Sequence, residues 1–240
     1  MAYGLQVENE NGKLVLSDGG LLPGYIGRAT LLSVQQAAPA FGAPGYNGLT
    51  GMSLHQIVSA GPIIPAIRLE VGRHSSILSM SRSGSLWTIA AYHGGTPIDG
   101  QGFEYQYAPE VHVWAIPTSV SGYGMALYNP SGALAGDLSK RPLDYKQKVR
   151  LTSVQPTVAL DPTIVTPAII GDLHDWRRQR SGSGPFYTYD YDTTAWTLTA
   201  GPELLRAYVR SRHMENEDSI GASVTLFRDV RALLVDVNGY

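Results

Sequence analysis

The 240-residue chain contains no cysteine. That excludes disulfide scaffolds, thiolate-held zinc and thiol nucleophiles, and it leaves the redox compartment undetermined. Charge is also scarce: Asp, Glu, Lys and Arg make up 16% of the residues, against about 25% in an average soluble domain. The net charge of −2 and pI near 6.3 provide no broad basic face, so a nucleic-acid partner is not expected. No run of about 18–20 apolar residues exists; the best stretch, Ile57 to Leu69, is broken by Gly61, Pro62 and Pro65. The first residues show no basic segment leading into an apolar one, so no signal peptide is indicated. Neither is membrane insertion, and synthesis in a cytoplasm is expected.

The scarcity of charge is uneven. Residues 1–120 carry 5 Lys/Arg and 7 Asp/Glu, whereas residues 121–240 carry 13 of each. Two readings of the first half stand: a surface covered by a partner or by copies of the same chain, or a neutral surface rich in Gly, Ser and Thr.

What the chain has in quantity is turn chemistry, with 27 glycines and 15 prolines. Strand-like runs of alternating or continuous apolar residues recur every ten to twelve positions or so, separated by these breakers. That spacing predicts an all-β, antiparallel, sandwich-like fold. Strands are expected at Tyr25–Val34, His55–Ser59, Ile63–Val71, Ser75–Met80, Leu86–Tyr92 and Glu104–Tyr107. Val111–Ile116 alternates and stops at Pro117, which predicts a strand with one buried face. Further on, Tyr187–Tyr191, Ala195–Ala200, Ser219–Phe227 and Val230–Val237 read as strands. Pro202–His213 fits a helical stripe and a strand equally, and we read it as a strand. Gln35–Gly51 reads as a loop, and Thr152–Pro167, with three prolines, as an extended or edge segment.

One signature occurs twice, half a chain apart. Tyr3-Gly4-Leu5-x-Val7-x-Asn9-x-x-Gly12-x-Leu14 matches Tyr123-Gly124-Met125-x-Leu127-x-Asn129-x-x-Gly132-x-Leu134 at an offset of 123 − 3 = 120. Each copy is an apolar run, a turn on Asn-x-x-Gly and a second apolar run, which is how a hairpin reads. The structural residues of the two hairpins are thus Tyr3, Gly4, Asn9 and Gly12, and Tyr123, Gly124, Asn129 and Gly132. The repeat suggests two β units, 1–120 and 121–240. Residues 35–110 and 150–240 do not align at the same offset. Duplicated domains and two related hairpins within one assembly therefore remain alternatives.

Reactive constellations are sparse. Gly51-Met52-Ser53-Leu54-His55 lacks the second glycine of a nucleophile elbow. Ser53 and His55, two apart on a strand, are expected about 6–7 Å apart, too far for a hydrogen bond without bending. The six histidines show no His-x-His or His-x-x-x-His spacing, and no metal site or cofactor is expected. The group Asp172, His174, Asp175 reads as a turn, and Asp190 with Asp192 as structural polarity. For glycoside cleavage Asp99, Glu104, Glu110 and Asp161 are available, but no pattern marks a pair. No phosphate-cradling glycine loop is present. The run Arg177-Arg178-Gln179-Arg180 reads as a solvated loop. No catalytic residue is assigned.

Aromatic residues carry the remaining signal. Fourteen tyrosines and four tryptophans against four phenylalanines favour rings with a polar handle, common at interfaces and sugar-binding faces. Trp176, Tyr187, Tyr189 and Tyr191 flank the Gly/Ser-rich stretch 181–185 and form the candidate binding surface. The alternative is that these rings pack on a core or line a sheet.

The hairpin signature, the aromatic strand Val111–Ile116, Tyr123–Gly132 and Lys140-Arg141-Pro142-Leu143 together resemble a family of small bacteriophage virion proteins of the tail tip and tail fibre. The resemblance covers roughly 45 residues. It implies a β-rich structural protein of the virion, present in several copies and touching other tail proteins, with no catalytic residues to carry over. Host attachment through a surface glycan or receptor, by a carbohydrate-binding or adhesin-like module, is the alternative function. A glycan hydrolase is the third.

Overall fold

The computed structural model describes residues 6–8, 14–17, 21–37, 50–95, 108–120, 125–129, 131–151, 157–171, 176–181, 187–201, 203–215, 224–225 and 230–240. Among them are nineteen strands and no helix, and every ladder is antiparallel. The expected all-β, sandwich-like class is the observed one. A hairpin, β1 (Gln6–Glu8) and β2 (Leu14–Ser17), comes first. Then follow β3 (Gly24–Arg28), β4 (Thr30–Ala37), β5 (Thr50–Val58), β6 (Ile63–Arg68), β7 (Arg73–Ser83), β8 (Leu86–Gly95) and β9 (Val111–Ala115). A second hairpin, β10 (Ala126–Tyr128) and β11 (Leu134–Asp137), opens the other half. After it come β12 (Tyr145–Leu151), β13 (Thr157–Ala159), β14 (Pro167–Gly171) and β15 (Trp176–Ser181). The last four are β16 (Tyr187–Leu198), β17 (Glu203–Glu215), β18 (Val224–Thr225) and β19 (Val230–Asp236).

Apart from the two hairpins, the strands form two sheets. One has six strands in the order β12-β19-β14-β6-β9-β3. The other has nine: β13-β17-β16-β7-β8-β5-β4, with β15 beside β16 and β18 beside β15. Ile63, Ile67, Val111, Val113, Val149, Ile169 and Leu234 of the first pack against Ile77, Ile89, Trp196 and Leu204 of the second. This apolar layer holds the sandwich together, because strands that hide one face from water must bury it against another sheet.

The six-stranded sheet curls. Leu143 donates its N–H to the Pro23 carbonyl at 2.9 Å, and Tyr145, two residues on, is therefore within about 7 Å of chain from that bond. Laid flat, six strands would hold the first residues of β3 and β12 about 24 Å apart. All six strands line the concave side, supplying Tyr25, Ile64, Ala66, Trp114, Tyr145, Ala168, Ile170 and Val235 to a second apolar cluster. Tyr240 closes it, edge-on to Tyr25 at 4.6 Å and to Trp114 at 5.4 Å between ring centroids.

The two halves repeat one topology. Val7↔Leu16 and Glu8↔Leu14, with a bulge between, recur as Leu127↔Gly136 and Tyr128↔Leu134, each 120 positions on. The bulge between Tyr25 and Gly27 in β3 recurs between Tyr145 and Gln147 in β12. In the curled sheet β3-β9-β6 mirrors β12-β19-β14, and in the other β7-β8-β5 mirrors β16-β17-β13. The halves join through β6–β14 (Ile67↔Ile169) and β7–β16 (Ser75↔Trp196). Pro23 and Leu143, equivalent by the offset of 120, meet on the opposite side. A two-fold pseudo-axis thus crosses the curled sheet.

Several sequence expectations are corrected. Tyr25–Val34 is not one strand: the chain leaves β3 for the other sheet at Ala29, following the bulge and Gly27 with φ 133°. β4 extends to Ala37 and β5 begins at Thr50, so both ends of the expected loop 35–51 are strand. All five residues of β9 are buried, because it lies inside a sheet with apolar clusters on both faces. The arginine run 177–180 is not a loop but part of β15, paired with β16. Residues 187–191 and 195–198 belong to the single strand β16, and 203–215 is the strand favoured over a helix. Segment 104–107 lies outside the described residues.

Candidate functional site

The repeated signature is a turn device. The Asn129 Oδ1 accepts hydrogen bonds from the Ser131 N–H at 3.1 Å and the Ala133 N–H at 2.9 Å. Gly132 has φ 82°, a left-handed conformation that side chains resist. An Asn followed three residues later by Gly is therefore what this turn requires. Tyr3, Gly4, Asn9, Gly12, Tyr123 and Gly124 lie outside the described residues.

This second hairpin sits on the first half of the chain. Leu22, buried, donates its N–H to the Ala135 carbonyl at 2.7 Å and bridges Gly136. A Cβ at position 136 would lie 2.9 Å from the Leu22 Cβ, so the seat needs a glycine there. Beside it is a cleft of about 330 Å³ between Gly24, Ala60, Thr118, Asp137 and Lys140.

Beyond the Leu22 contact, the hairpin face that carries Leu127 and Gly136 is apolar and open. Met125 and Leu138 face each other across the ladder, the Leu138 N–H donating to the Met125 carbonyl at 2.8 Å. They are 65% and 41% exposed; Tyr128, on the opposite face of β10, is 56% exposed. Large apolar side chains grouped this way commonly mark a contact surface. Lys140 and Arg141 follow directly and are exposed. Nothing in the sequence flagged this group, since Met125 and Leu138 read as ordinary strand positions.

The aromatic candidates fall on two neighbouring strands. Trp176 in β15 pairs with Thr193 of β16, two positions from Tyr191; Tyr187 and Tyr189 follow along the same strand. Backbone register brings these four positions into one part of the sheet. Asp190 and Asp192 lie on β16 opposite Gln179 and Arg177; Asp172, His174 and Asp175 lie outside the described residues. No group of three potential metal ligands occurs among the described residues.

Ser53 and His55 differ from expectation: the His55 Nε2 and Ser53 Oγ are 2.9 Å apart. Side chains lean along a strand, and this lean closes the gap that the Cα spacing suggested. The pair is nevertheless sealed, with exposures of 0% and 2%, so no substrate reaches it in this conformation. Burial, then the neighbouring His93, pushes the His55 imidazole down to about 4, with the Ala29 backbone opposing. His93 is pushed down to about 4 by burial.

Of the carboxylates considered for glycoside cleavage, Asp99 and Glu104 lie outside the described residues. Glu110 is shared by Arg68 at 3.1 Å, Arg28 at 3.4 Å and His112 at 3.5 Å. Asp161 accepts from the Thr163 N–H at 2.9 Å in a turn. Both carboxylates thus have structural partners. No helix among the described residues is long and apolar enough to cross a membrane.

Comparison with protein-family models, curated proteins and solved structures found no match.

Proposed function

We propose that this chain is a structural component of a bacteriophage tail, at the tip or associated with a fibre. It assembles as a homo-oligomer and docks onto other tail proteins, in a virion put together in the bacterial cytoplasm. The observation that carries this reading is the exposed apolar pair Met125 and Leu138 on a seated hairpin. Such a pair is stabilised by being covered. The low charge of the first half and the resemblance of the hairpin signature point the same way. The full-length chain is expected to run as an oligomer in light scattering, or to bind a neighbouring tail protein. A stable monomer that binds neither overturns the reading. Locating the chain in images of the native particle tests the tail assignment itself.

A second reading, attachment to a host surface glycan or receptor, draws on the register that groups Trp176 with Tyr187, Tyr189 and Tyr191. Exposed rings there would stack on sugar faces. Replacing all four by alanine is then expected to abolish binding to host cells; unchanged binding sinks this reading.

A further inference from the structure

Past Trp196, where β16 meets β7, β15 takes the place of β7 beside β16. β16 pairs with β17 over twelve positions, from Tyr187↔Glu215 to Leu198↔Leu204, and with β15 from Trp176↔Thr193 to Ser181↔Thr188, without a register shift in either ladder. Trp196 is fully buried in the core between the two sheets. Residues two apart on a strand share a face. Asp192 and Asp190 therefore fall on the Trp196 face of β16, and Tyr191, Tyr189 and Tyr187 on the opposite one. Register carries this division to the neighbouring strands. Arg178 is paired with Tyr191, Arg180 with Tyr189, and Trp176 with Thr193, so all three β15 positions belong to the tyrosine face. On β17, His213 is paired with Tyr189 and joins it.

Charge follows the same division. Asp192 is paired with Arg177 and Arg210, and Asp190 with Arg212, so these acids have their counter-charges at facing positions of the Trp196 face. On the tyrosine face the positions facing Arg178 and Arg180 on β16 are tyrosines instead. The carboxylate paired with residues 187–193 on that face is Glu215, at the far end of the β17 ladder. We propose that this face binds an acidic glycan, one whose sugars carry carboxylates. This rests on the glycan reading above and names the class of glycan, adding Arg178 and Arg180 to the four rings. Aromatic rings offer a platform to the apolar side of a sugar, and a guanidinium matches a carboxylate in two parallel hydrogen bonds. Directly paired positions lie about 5 Å apart, so a sugar ring over Tyr189 or Tyr191 has its carboxylate within reach of the paired arginine. The two tyrosines are about 7 Å apart along the strand, which repeats the ring-plus-guanidinium unit for a second sugar. The net charge of −2 does not by itself attract polyanions, so preference for acid is a property of this face.

Calorimetric titration of the full-length chain tests this. The probes are an oligogalacturonate, an α2,8-linked oligosialate, and the same oligogalacturonate with its carboxylates reduced to alcohols. At least one acidic probe is expected to bind about tenfold or more tighter than the reduced one, the worth of one charge-assisted pair. That comparison uses the wild-type chain alone and does not depend on any variant folding. Arg178→Gln with Arg180→Gln is expected to remove the preference. Arg177→Gln with Arg210→Gln takes the same charge from the other face and is expected to keep it. Circular dichroism reports whether each variant retains the fold.

Equal affinity for the acidic and reduced probes, or a preference kept by the folded Arg178 and Arg180 variant, overturns the acidic class while the glycan reading stands. A preference lost equally in the opposite-face variant assigns it to overall charge and overturns the proposed face. Tighter binding of single-stranded oligothymidylate than of either acidic glycan assigns the face to nucleic acid and also overturns the proposal. Binding to no probe overturns it as well. The glycan reading falls with it only when host cells are bound equally by the variant with all four rings replaced by alanine.

Discussion

Pro23 and Leu143 are separated by 120 positions and joined by one hydrogen bond, from the Leu143 N–H to the Pro23 carbonyl at 2.9 Å. They are each other's counterparts in the duplicated fold. Their contact marks one side of the curled sheet, and the β6–β14 ladder marks the other. The halves are consequently stitched at both sides of one apolar filling.

That stitching predicts a single unfolding event. Trp114 is fully buried on the concave side, where strands of both halves pack. Trp114→Ala is expected to lower stability by about 3–5 kcal/mol, the usual loss for a buried large ring. Calorimetry is expected to show one transition that moves as a whole. Two transitions, only one of them displaced, would mean that the halves melt independently.

Gly61 provides a local test of packing. A Cβ added there would collide with the Ile116 carbonyl oxygen. That oxygen belongs to backbone tied to the neighbouring turn, the Ile116 N–H donating to Pro62 at 3.0 Å. Gly61→Ala is expected to cost about 1–3 kcal/mol, the range for overpacking a fitted site. Denaturant titration measures it, and an unchanged midpoint contradicts the close approach.

The hairpin seat is tested by Gly136→Ala. The new methyl group is forced against Leu22, so the Leu22–Ala135 hydrogen bond is expected to break. Amide exchange at Leu22 is expected to speed up, with little change in the global melting temperature. Unchanged protection would show that the seat tolerates a side chain.

Acid is expected to weaken the fold through His55 and His93. Both imidazoles are held down to about 4 in the folded chain, whereas an unfolded histidine titrates near 6.5. Between these values the unfolded state binds more protons, so stability is fully present above about pH 6.5 and falls steadily toward about pH 4. His112 and His74, also lowered by burial, add in the same direction. The melting temperature is expected to drop between about pH 7 and pH 5. His55→Gln with His93→Gln should flatten that slope; an equal slope in the variant argues against these two residues as its source.

How much the sequence disclosed follows from what is local. Alternation and breakers pointed to β8, β9 and β19, because period and turn residues depend on neighbours in the chain. The Asn-x-x-Gly turn was legible because Asn129 and Gly132 act within one hairpin. The duplication was legible only at its start, since the spacing between equivalents changes along the chain. Gly24 and its counterpart are 120 apart, but Ile64 corresponds to Ala168, at 168 − 64 = 104, because the second half covers the same span in 168 − 144 = 24 residues where the first takes 64 − 24 = 40. A fixed offset loses the match there, while hydrogen-bond register recovers it. The Ser53–His55 contact was missed for a different reason, since Cα spacing neglects the lean of side chains. The exposure of Met125 and Leu138 was hidden from the sequence because it depends on how far Leu22 covers the hairpin face they share.

In the curled sheet, the strand ladder of β12 among the described residues is with β19, which also stands between it and β14. Yet β19 follows every other strand in chain order. During synthesis, β3, β6 and β9 can pair soon after they emerge, but β12 must wait beside an unfilled place until nearly the whole described chain has been made. Long-range pairing of this kind is slow to form, so the interval between β12 and β19 is when a nascent chain is most open to pairing with the wrong neighbour.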